Sequence, residues 1–202
     1  MELAYNLHHD SMKQGTCKKK LYNIWSNSYD SYVSELEYTG PQELVSLLSS
    51  MILNFNEKSI DILDFGCGTG LVGEEIKRQN LNINLDGVDI SPLMLAKAKE
   101  KDCYQNLFEI NLLEKSLFEI SQKKYQIIVS CGVFLEGHAP LEILEKLLDN
   151  LYIEGFLIFT IRDSYLEKEK DKFNKYILDN PRVRILKKMN IKYLKDVKCQ
   201  LF

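Results

Sequence analysis

The segment Ile62-Leu63-Asp64-Phe65-Gly66-Cys67-Gly68-Thr69-Gly70 carries an apolar run into three glycines at alternate positions. Glycines so placed let the backbone approach a ligand closely and adopt conformations that a Cβ forbids. A helical pattern begins at Leu71, and the start of a helix offers free N–H groups and a positive dipole end to an anion. Asp89 closes the next apolar run, where a carboxylate can accept hydrogen bonds from both hydroxyls of a ribose. Charge narrows the choice of nucleotide. A dinucleotide fingerprint wants glycine at its sixth position, which counted from Gly66 is Leu71. Asp64 would also stand beside a pyrophosphate, and like charges about 4 Å apart repel by on the order of 4 kcal/mol at an effective dielectric near 20. An aspartate there favours a cation. S-adenosylmethionine offers an ammonium for Asp64, a carboxylate for the helix start and a sulfonium between them, without any phosphate.

Further chemistry-bearing residues lie elsewhere. Glu136 and His138 follow the run Ser130-Cys131-Gly132-Val133-Phe134 and are candidate general bases, with a solvated loop as the alternative. Tyr22, Trp25, Tyr29 and Tyr32 step by three, four and three residues, one stripe of a helix expected over Lys20–Val33. That stripe is either core or a lid over a ligand, and Tyr29 is a third catalytic candidate. No metal is expected, because the three histidines and the carboxylates lack ligand spacing. The five cysteines are widely spaced and odd in number, which argues for reduced thiols and a cytoplasmic setting. Cys67 and Cys131 would stand at the carboxyl ends of the first and fourth strands, where their oxidation is expected to block the ligand site.

The elements that position these residues alternate. Strands are expected at Ser59–Phe65, Ile83–Ile90, Gln105–Asn111, Tyr125–Ser130 and Gly155–Ile161, and helices at Leu71–Gln79, Pro92–Lys101 and Pro140–Asn150. Strand, helix, strand, repeated, means right-handed crossovers and a parallel sheet covered on both faces. A helix from about Tyr165 to Pro181 and strands at Val183–Met189 and Val197–Phe202 would add an antiparallel hairpin at one edge. Another helix is expected from Pro41 to Leu53. A chain of 202 residues with 45% apolar and 27% charged residues reads as one α/β domain: helical lid 1–55, core 59–162, and C-terminal helix and hairpin 163–202. A net charge of −3 gives no field that draws nucleic acid or an anionic membrane. Residues 166–202 are locally basic, eleven Lys and Arg against five Asp and Glu, read as solvated faces with a docking surface as the alternative. No apolar stretch approaches the roughly 18 residues that span a bilayer.

The turn from Asp64 to Gly70, with Asp89 and the element order, resembles the class I S-adenosylmethionine-dependent methyltransferases over residues 59–162. Trp25-x-x-x-Tyr29-Asp30, Tyr38-x-x-Pro41, Gly68-Thr69-Gly70-Leu71-Val72, Ser91-Pro92-x-Met94-Leu95 and Tyr104-Gln105 further resemble the methyltransferase-like subfamily of the Williams–Beuren chromosomal region and its bacterial relatives. The resemblance implies a Rossmann-like, seven-stranded, mostly parallel sheet of order 3-2-1-4-5-7-6 with the last strand antiparallel, helices on both faces and an N-terminal helical lid. It implies that Asp64, Gly66, Cys67, Gly68, Thr69 and Gly70 hold the methionine part and Asp89 the ribose. Ile90 and Met94 would flank the adenine, Asn111 and Leu112 would bind its amine and ring, and Ser130 to Val133 would pass beneath the methyl. Tyr22, Trp25 and Tyr29 become the lid. The Asn/Asp-Pro-Pro-Tyr-like grip of base-amine methyltransferases is missing at Ser130, which counts against those nitrogen-methylating branches, while other nucleic-acid methyltransferases use different residues; the expected acceptor is a small molecule. The expected activity is in-line methyl transfer by a monomer or weak homodimer. The rivals are a non-catalytic module binding the cofactor or S-adenosylhomocysteine, and an NAD oxidoreductase.

Overall fold

The computed structural model describes residues 2–53, 59–111, 114, 123–194 and 197–202. Its sheet has seven strands: β1 (Ile60–Phe65), β2 (Ile83–Asp89), β3 (Asn106–Glu109), β4 (Tyr125–Phe134), β5 (Leu151–Arg162), β6 (Met189–Leu194) and β7 (Val197–Leu201). Their order is 3-2-1-4-5-7-6, as the resemblance implies. β1 pairs in parallel with β2 and β4, β2 with β3, and β4 with β5, whereas β7 runs antiparallel to both β5 and β6.

Strand side chains alternate between faces, and the two apolar layers follow from that period. Leu63, Ile128 and Phe159 enter a core with Tyr125, Phe134, Phe173 and α7 (Ile143–Asp149). Their neighbours Ile62, Ile127 and Ile158 enter the opposite core, against α4 (Gly40–Ile52) and α5 (Leu71–Arg78). Both faces being covered, the central strands are continuous apolar runs, as a parallel sheet requires. Helix α6 (Pro92–Glu100) starts where the sequence says it should: Ser91 Oγ accepts from Met94 N–H at 3.2 Å, and Pro92 occupies the first turn, where its missing N–H costs nothing.

Several elements differ from expectation. A helix α1 (Glu2–Ser11), unmarked by any strong apolar period, precedes the aromatic stripe. The single helix expected over Lys20–Val33 is two, α2 (Lys18–Trp25) and α3 (Tyr29–Glu35). Between them Ser26 Oγ donates to the Asn23 carbonyl at 3.0 Å and Ser28 N–H to that of Trp25 at 3.0 Å, competing with helix continuation. Residues 183–188 are not a strand. The last hairpin begins at Met189, where the buried Ile191 and Tyr193 alternate inward against the layer containing α4, while Leu186 is 58% exposed. β4 continues to Phe134 through a register shift between Ser130 and Phe134, so Cys131 to Val133 belong to the strand end. Before that hairpin come α8 (Asp163–Lys168), α9 (Lys170–Phe173) and a π-helical turn (Asn174–Leu178). Several basic side chains of this segment meet acids: Arg182 with Asp149, Lys172 with Glu142 and Glu169, and Lys192 with Glu37.

The glycine turn is fixed by the strand next door. Gly66 has φ of +72°, and a Cβ built there would lie 2.3 Å from Val133 Cγ2 at the end of β4. Gly66→Ala is therefore expected to lose about 2–4 kcal/mol, combining left-handed strain with overpacking. In denaturant unfolding, adding Val133→Ala should return the overpacking share and leave the strain.

Candidate functional site

Where β1 ends, Asp64 is 1% exposed. One carboxylate oxygen accepts from the Tyr104 hydroxyl at 2.7 Å, and the other is buried with no partner among the described residues. A charge in that condition is costly. Burial pushes the Asp64 carboxyl up to about 7, against the pull of the Tyr104 hydrogen bond and with help from the negative Asp89. The turn that follows is tied to β2, since Gly66 and Cys67 N–H both donate to the Val88 carbonyl, at 2.9 and 3.0 Å. Asp89 spans the two sides of the cleft: one oxygen accepts from Gly68 N–H at 3.0 Å and the other from Ser91 N–H at 2.8 Å. Each oxygen keeps a further lone pair, so the carboxylate can still accept from hydroxyls. Thr69, buried, turns its hydroxyl outward from the turn to Asp30 of α3 at 2.5 Å.

The aromatic stripe lies over this edge. Trp25 is 2% exposed and sits between Tyr22, stacked at 5.8 Å, Tyr29 at 5.0 Å and Tyr32 at 5.5 Å between ring centroids. Its indole N–H is a second buried polar atom with no described partner. Asn23 of α2 ties the stripe to α6: its side-chain oxygen accepts from Ser91 Oγ at 2.7 Å and Leu93 N–H at 3.3 Å. Lys101 bridges Asp30 at 2.9 Å and Glu74 at 2.8 Å, and Lys19 pairs with Glu109 at the end of β3.

Several sequence candidates are placed differently from their expected use. Met94 is 1% exposed, packed beneath α2 with Leu21 and Trp25 and not facing an open cleft. The Ser130 hydroxyl is buried and donates to the Phe65 carbonyl at 3.0 Å, pinning β4 to β1. Asn111 donates to Glu114 at 2.8 Å, Ile90 is half-buried after Asp89, and Leu112 lies outside the described residues. Val133 packs against Gly66. Glu136 lies 4.0 Å from Arg162. His138 is brought to Tyr22, whose hydroxyl is 2.5 Å from Nε2, while Nδ1 faces the Glu136 carbonyl at 2.9 Å. The second contact makes Nδ1 the protonated nitrogen and Nε2 the acceptor. Burial lowers the His138 pKa to about 4, so the ring is neutral. Together Tyr22, Tyr29, His138, His8, Tyr38 and Arg162 enclose a cavity of about 40 Å³. Two of these, His8 and Arg162, went unmarked in the sequence. Arg162 carried one usable signal, a lone cation ending the apolar run Gly155–Ile161 at the carboxyl edge where open α/β sheets bind ligands.

Residues 63–157 match the family described as a methyltransferase domain. The sheet matches solved methyltransferases across nearly the whole chain. A magnesium protoporphyrin IX methyltransferase from Synechocystis, solved with bound S-adenosylmethionine, gives a TM-score of 0.66 at 17% identity, covering 94% of this chain and 97% of that one. Residues 63–157 thus carry a methyltransferase-domain signature, and the chain has the Rossmann-like fold of the class I S-adenosylmethionine-dependent methyltransferases. An S-adenosylmethionine-dependent methyltransferase from Clostridium acetobutylicum gives a TM-score of 0.60 at 16% identity, covering 92% of this chain and 97% of that one. Among curated relatives, human methyltransferase-like protein 27 is 30% identical over 130 residues, 64% of this chain and 52% of that protein. The ribosomal RNA small subunit methyltransferase C of Aliivibrio fischeri is 39% identical over 111 residues, 52% of this chain and 32% of that protein. The malonyl-[acyl-carrier protein] O-methyltransferase of Bacillus anthracis is 28% identical over 147 residues, 72% of this chain and 52% of that protein. The matches thus span a third to a half of these curated relatives. Among the described residues no helix is long and apolar enough to cross a membrane, and no cluster of three or more His, Cys, Asp and Glu could hold a metal.

The thiols of this methyltransferase domain are quiet. Burial holds Cys67 well above the ordinary thiol value and pushes Cys131, which faces the Tyr38 hydroxyl at 3.1 Å, up to about 12. That works against the oxidation sensitivity expected from their placement, since the thiolate is the reactive form. Iodoacetamide at pH 8 should label the exposed Cys17 more than tenfold faster than Cys67 or Cys131, as read by peptide mass mapping. Asp64 gives a second outcome. Its folded carboxyl holds a proton up to about pH 7, whereas the unfolded group releases it near 3.8, so the folded state binds more protons across that window and loses stability as pH rises through it. Urea unfolding from pH 5 to pH 8 should show the wild type falling by about 2–4 kcal/mol relative to Asp64→Asn.

Proposed function

We propose that the protein binds S-adenosylmethionine at the carboxyl edge of β1 and β2 and transfers its methyl group to a small-molecule acceptor. The observation that carries this reading is the buried, half-unpaired Asp64 at a glycine turn, with Asp89 beside it and an aromatic lid above. An ammonium satisfies the orphan oxygen of Asp64 and stabilises its ionised form, and a carboxylate suits the uncapped start of α5 after Gly70. Asp89 keeps acceptor capacity for ribose hydroxyls. Ile90 and Asn111 lie on the adenine side, with Met94 acting from beneath through the lid contact. Tyr22, Trp25 and Tyr29 close the site and exclude water. Gly66, Cys67, Gly68, Thr69 and Gly70 supply backbone, and Val133 fixes their position.

The bound cofactor supplies an electrophilic methyl on a sulfonium, and displacement needs the acceptor held in line with the S–CH₃ bond. Well-oriented approach can be worth roughly 7–11 kcal/mol, so positioning by the chain carries most of the work. Tyr22, Tyr29 and His138 line the space where an acceptor would enter. Neutral His138, with Nε2 accepting a hydrogen bond from the Tyr22 hydroxyl, orients that hydroxyl and does not act as a strong base at neutral pH. The small volume of the cavity and its aromatic walls favour a small molecule over a nucleic-acid strand, even though one relative acts, by its name, on ribosomal RNA. NAD is disfavoured by Asp64 and by Leu71 at the third glycine position.

Calorimetric titration with S-adenosylmethionine, S-adenosylhomocysteine and NAD tests the reading. The two sulfur compounds should bind in the micromolar range, weaken at least tenfold in Asp89→Ala, and leave NAD unbound; tenfold corresponds to about 1.4 kcal/mol. S-adenosylmethionine affinity should climb as pH rises towards 7, because its ammonium is held by ionised Asp64. NAD binding without either sulfur compound would replace this function with an oxidoreductase, and sulfur-compound binding without product from any acceptor would leave a binding module.

A further inference from the structure

Arg162 ends β5 at the same carboxyl edge, one residue beyond the register pair Phe134 and Ile161. Its side chain is 13% exposed. Among the described residues the guanidinium has poor company: one terminal nitrogen faces the Met12 sulfur at 3.4 Å and Glu136 at 4.0 Å, too far for a hydrogen bond, and Nε is buried with no partner. A buried guanidinium with five donors and so few acceptors is expensive unless something else fills the fork. The same residue lines the cavity beneath the aromatic lid, and Glu136 does not.

The other described walls of that cavity are neutral. Tyr22, Tyr29, Tyr38 and Tyr193 keep their protons because burial raises all four phenols. His8 and His138 are held neutral by burial, with the Arg162 charge lowering both further. Arg162 is thus the one charged side chain among the described residues facing the cavity, with Glu136, Asp163 and Lys18 near it but outside the lining.

We propose that Arg162 anchors the methyl acceptor through a carboxylate, so that the acceptor is a small organic acid whose apolar part packs on Tyr22, Tyr29 and Tyr38. The inference rests on the methyltransferase reading above and adds its substrate class. A planar guanidinium matches a carboxylate with two parallel N–H···O bonds, a geometry that an amide or alcohol of the same shape cannot use equally. The anion would also complete the hydrogen bonding that Glu136, at 4.0 Å, leaves unmade.

The test titrates phenylacetate and phenylacetamide, and propionate and propionamide, into protein saturated with S-adenosylhomocysteine, followed by ligand-observed NMR. Each carboxylate should bind at least tenfold more tightly than its amide. Arg162→Gln should erase that preference, and Arg162→Lys should restore part of it, a rescue that a purely structural role would not give. S-adenosylhomocysteine affinity should stay within twofold in both variants, which also shows that they are folded. If Arg162→Gln fails to hold S-adenosylhomocysteine, the wild-type preference and its partial retention in Arg162→Lys still decide the matter. Equal binding of acid and amide, or no saturable carboxylate binding with S-adenosylhomocysteine bound, overturns this inference alone. Failure of the wild type to bind S-adenosylhomocysteine overturns the function and this inference with it.

Discussion

A carboxylate that is buried and only half satisfied is the constraint around which this site is built. Asp64 cannot move away from the sheet, because it sits in the parallel register of β1, opposite Gly87 of β2. Tyr104 reaches across to one of its oxygens, and the same ring packs close to Gly73 and Gly87, so those positions stay small. Gly66 in turn takes its left-handed conformation against Val133. The turn is therefore held from three sides, by β2, by β4 and by the segment before β3, and the remaining carboxylate oxygen has no partner among the described residues.

Polar groups left unsatisfied inside a folded protein are rare and costly, so their location is informative. Asp64 Oδ1, Trp25 Nε1, Glu136 Oε2 and Arg162 Nε all occur along the carboxyl edge of β1, β4 and β5 or in the helix lying over it. By contrast, Asp86, equally buried under the other end of β2, accepts from Asn106, Lys123 and Tyr125. The Asp86 carboxylate is complete as it stands, whereas that of Asp64 is not.

The legible part of the molecule was local. Asp64, the three glycines, Leu71 and Asp89 lie within one strand-turn-helix-strand unit, where residue type and spacing alone constrain the chemistry; the alternation gave the parallel crossovers, and the sheet order came from the family resemblance that those residues carry. What escaped was set by long-range packing. α1 has a weak apolar period, yet it delivers His8 to the Trp25 and Tyr32 rings. The break between α2 and α3 depends on serine hydroxyls competing for carbonyls, and the hairpin start at Met189 depends on which residues α4 can cover. Arg162 looked like an ordinary strand end until β4 and α1 buried it. Met94 and Ser130 stand where the motif puts them, but their surroundings turn them to scaffold duty.

The lid is fastened at both its helices. Asn23 of α2 occupies the start of α6, Asp30 of α3 holds Thr69, and Tyr22 closes on His138. Tyr22 therefore belongs to two compartments at once, the roof over the glycine turn and a wall of the cavity that contains Arg162. Lifting the roof to admit or release the larger ligand necessarily dismantles that wall. On the proposed reading the consequence is kinetic: the smaller compartment exists only while the larger one is shut, and methyl transfer would follow a compulsory order, cofactor first on and last off.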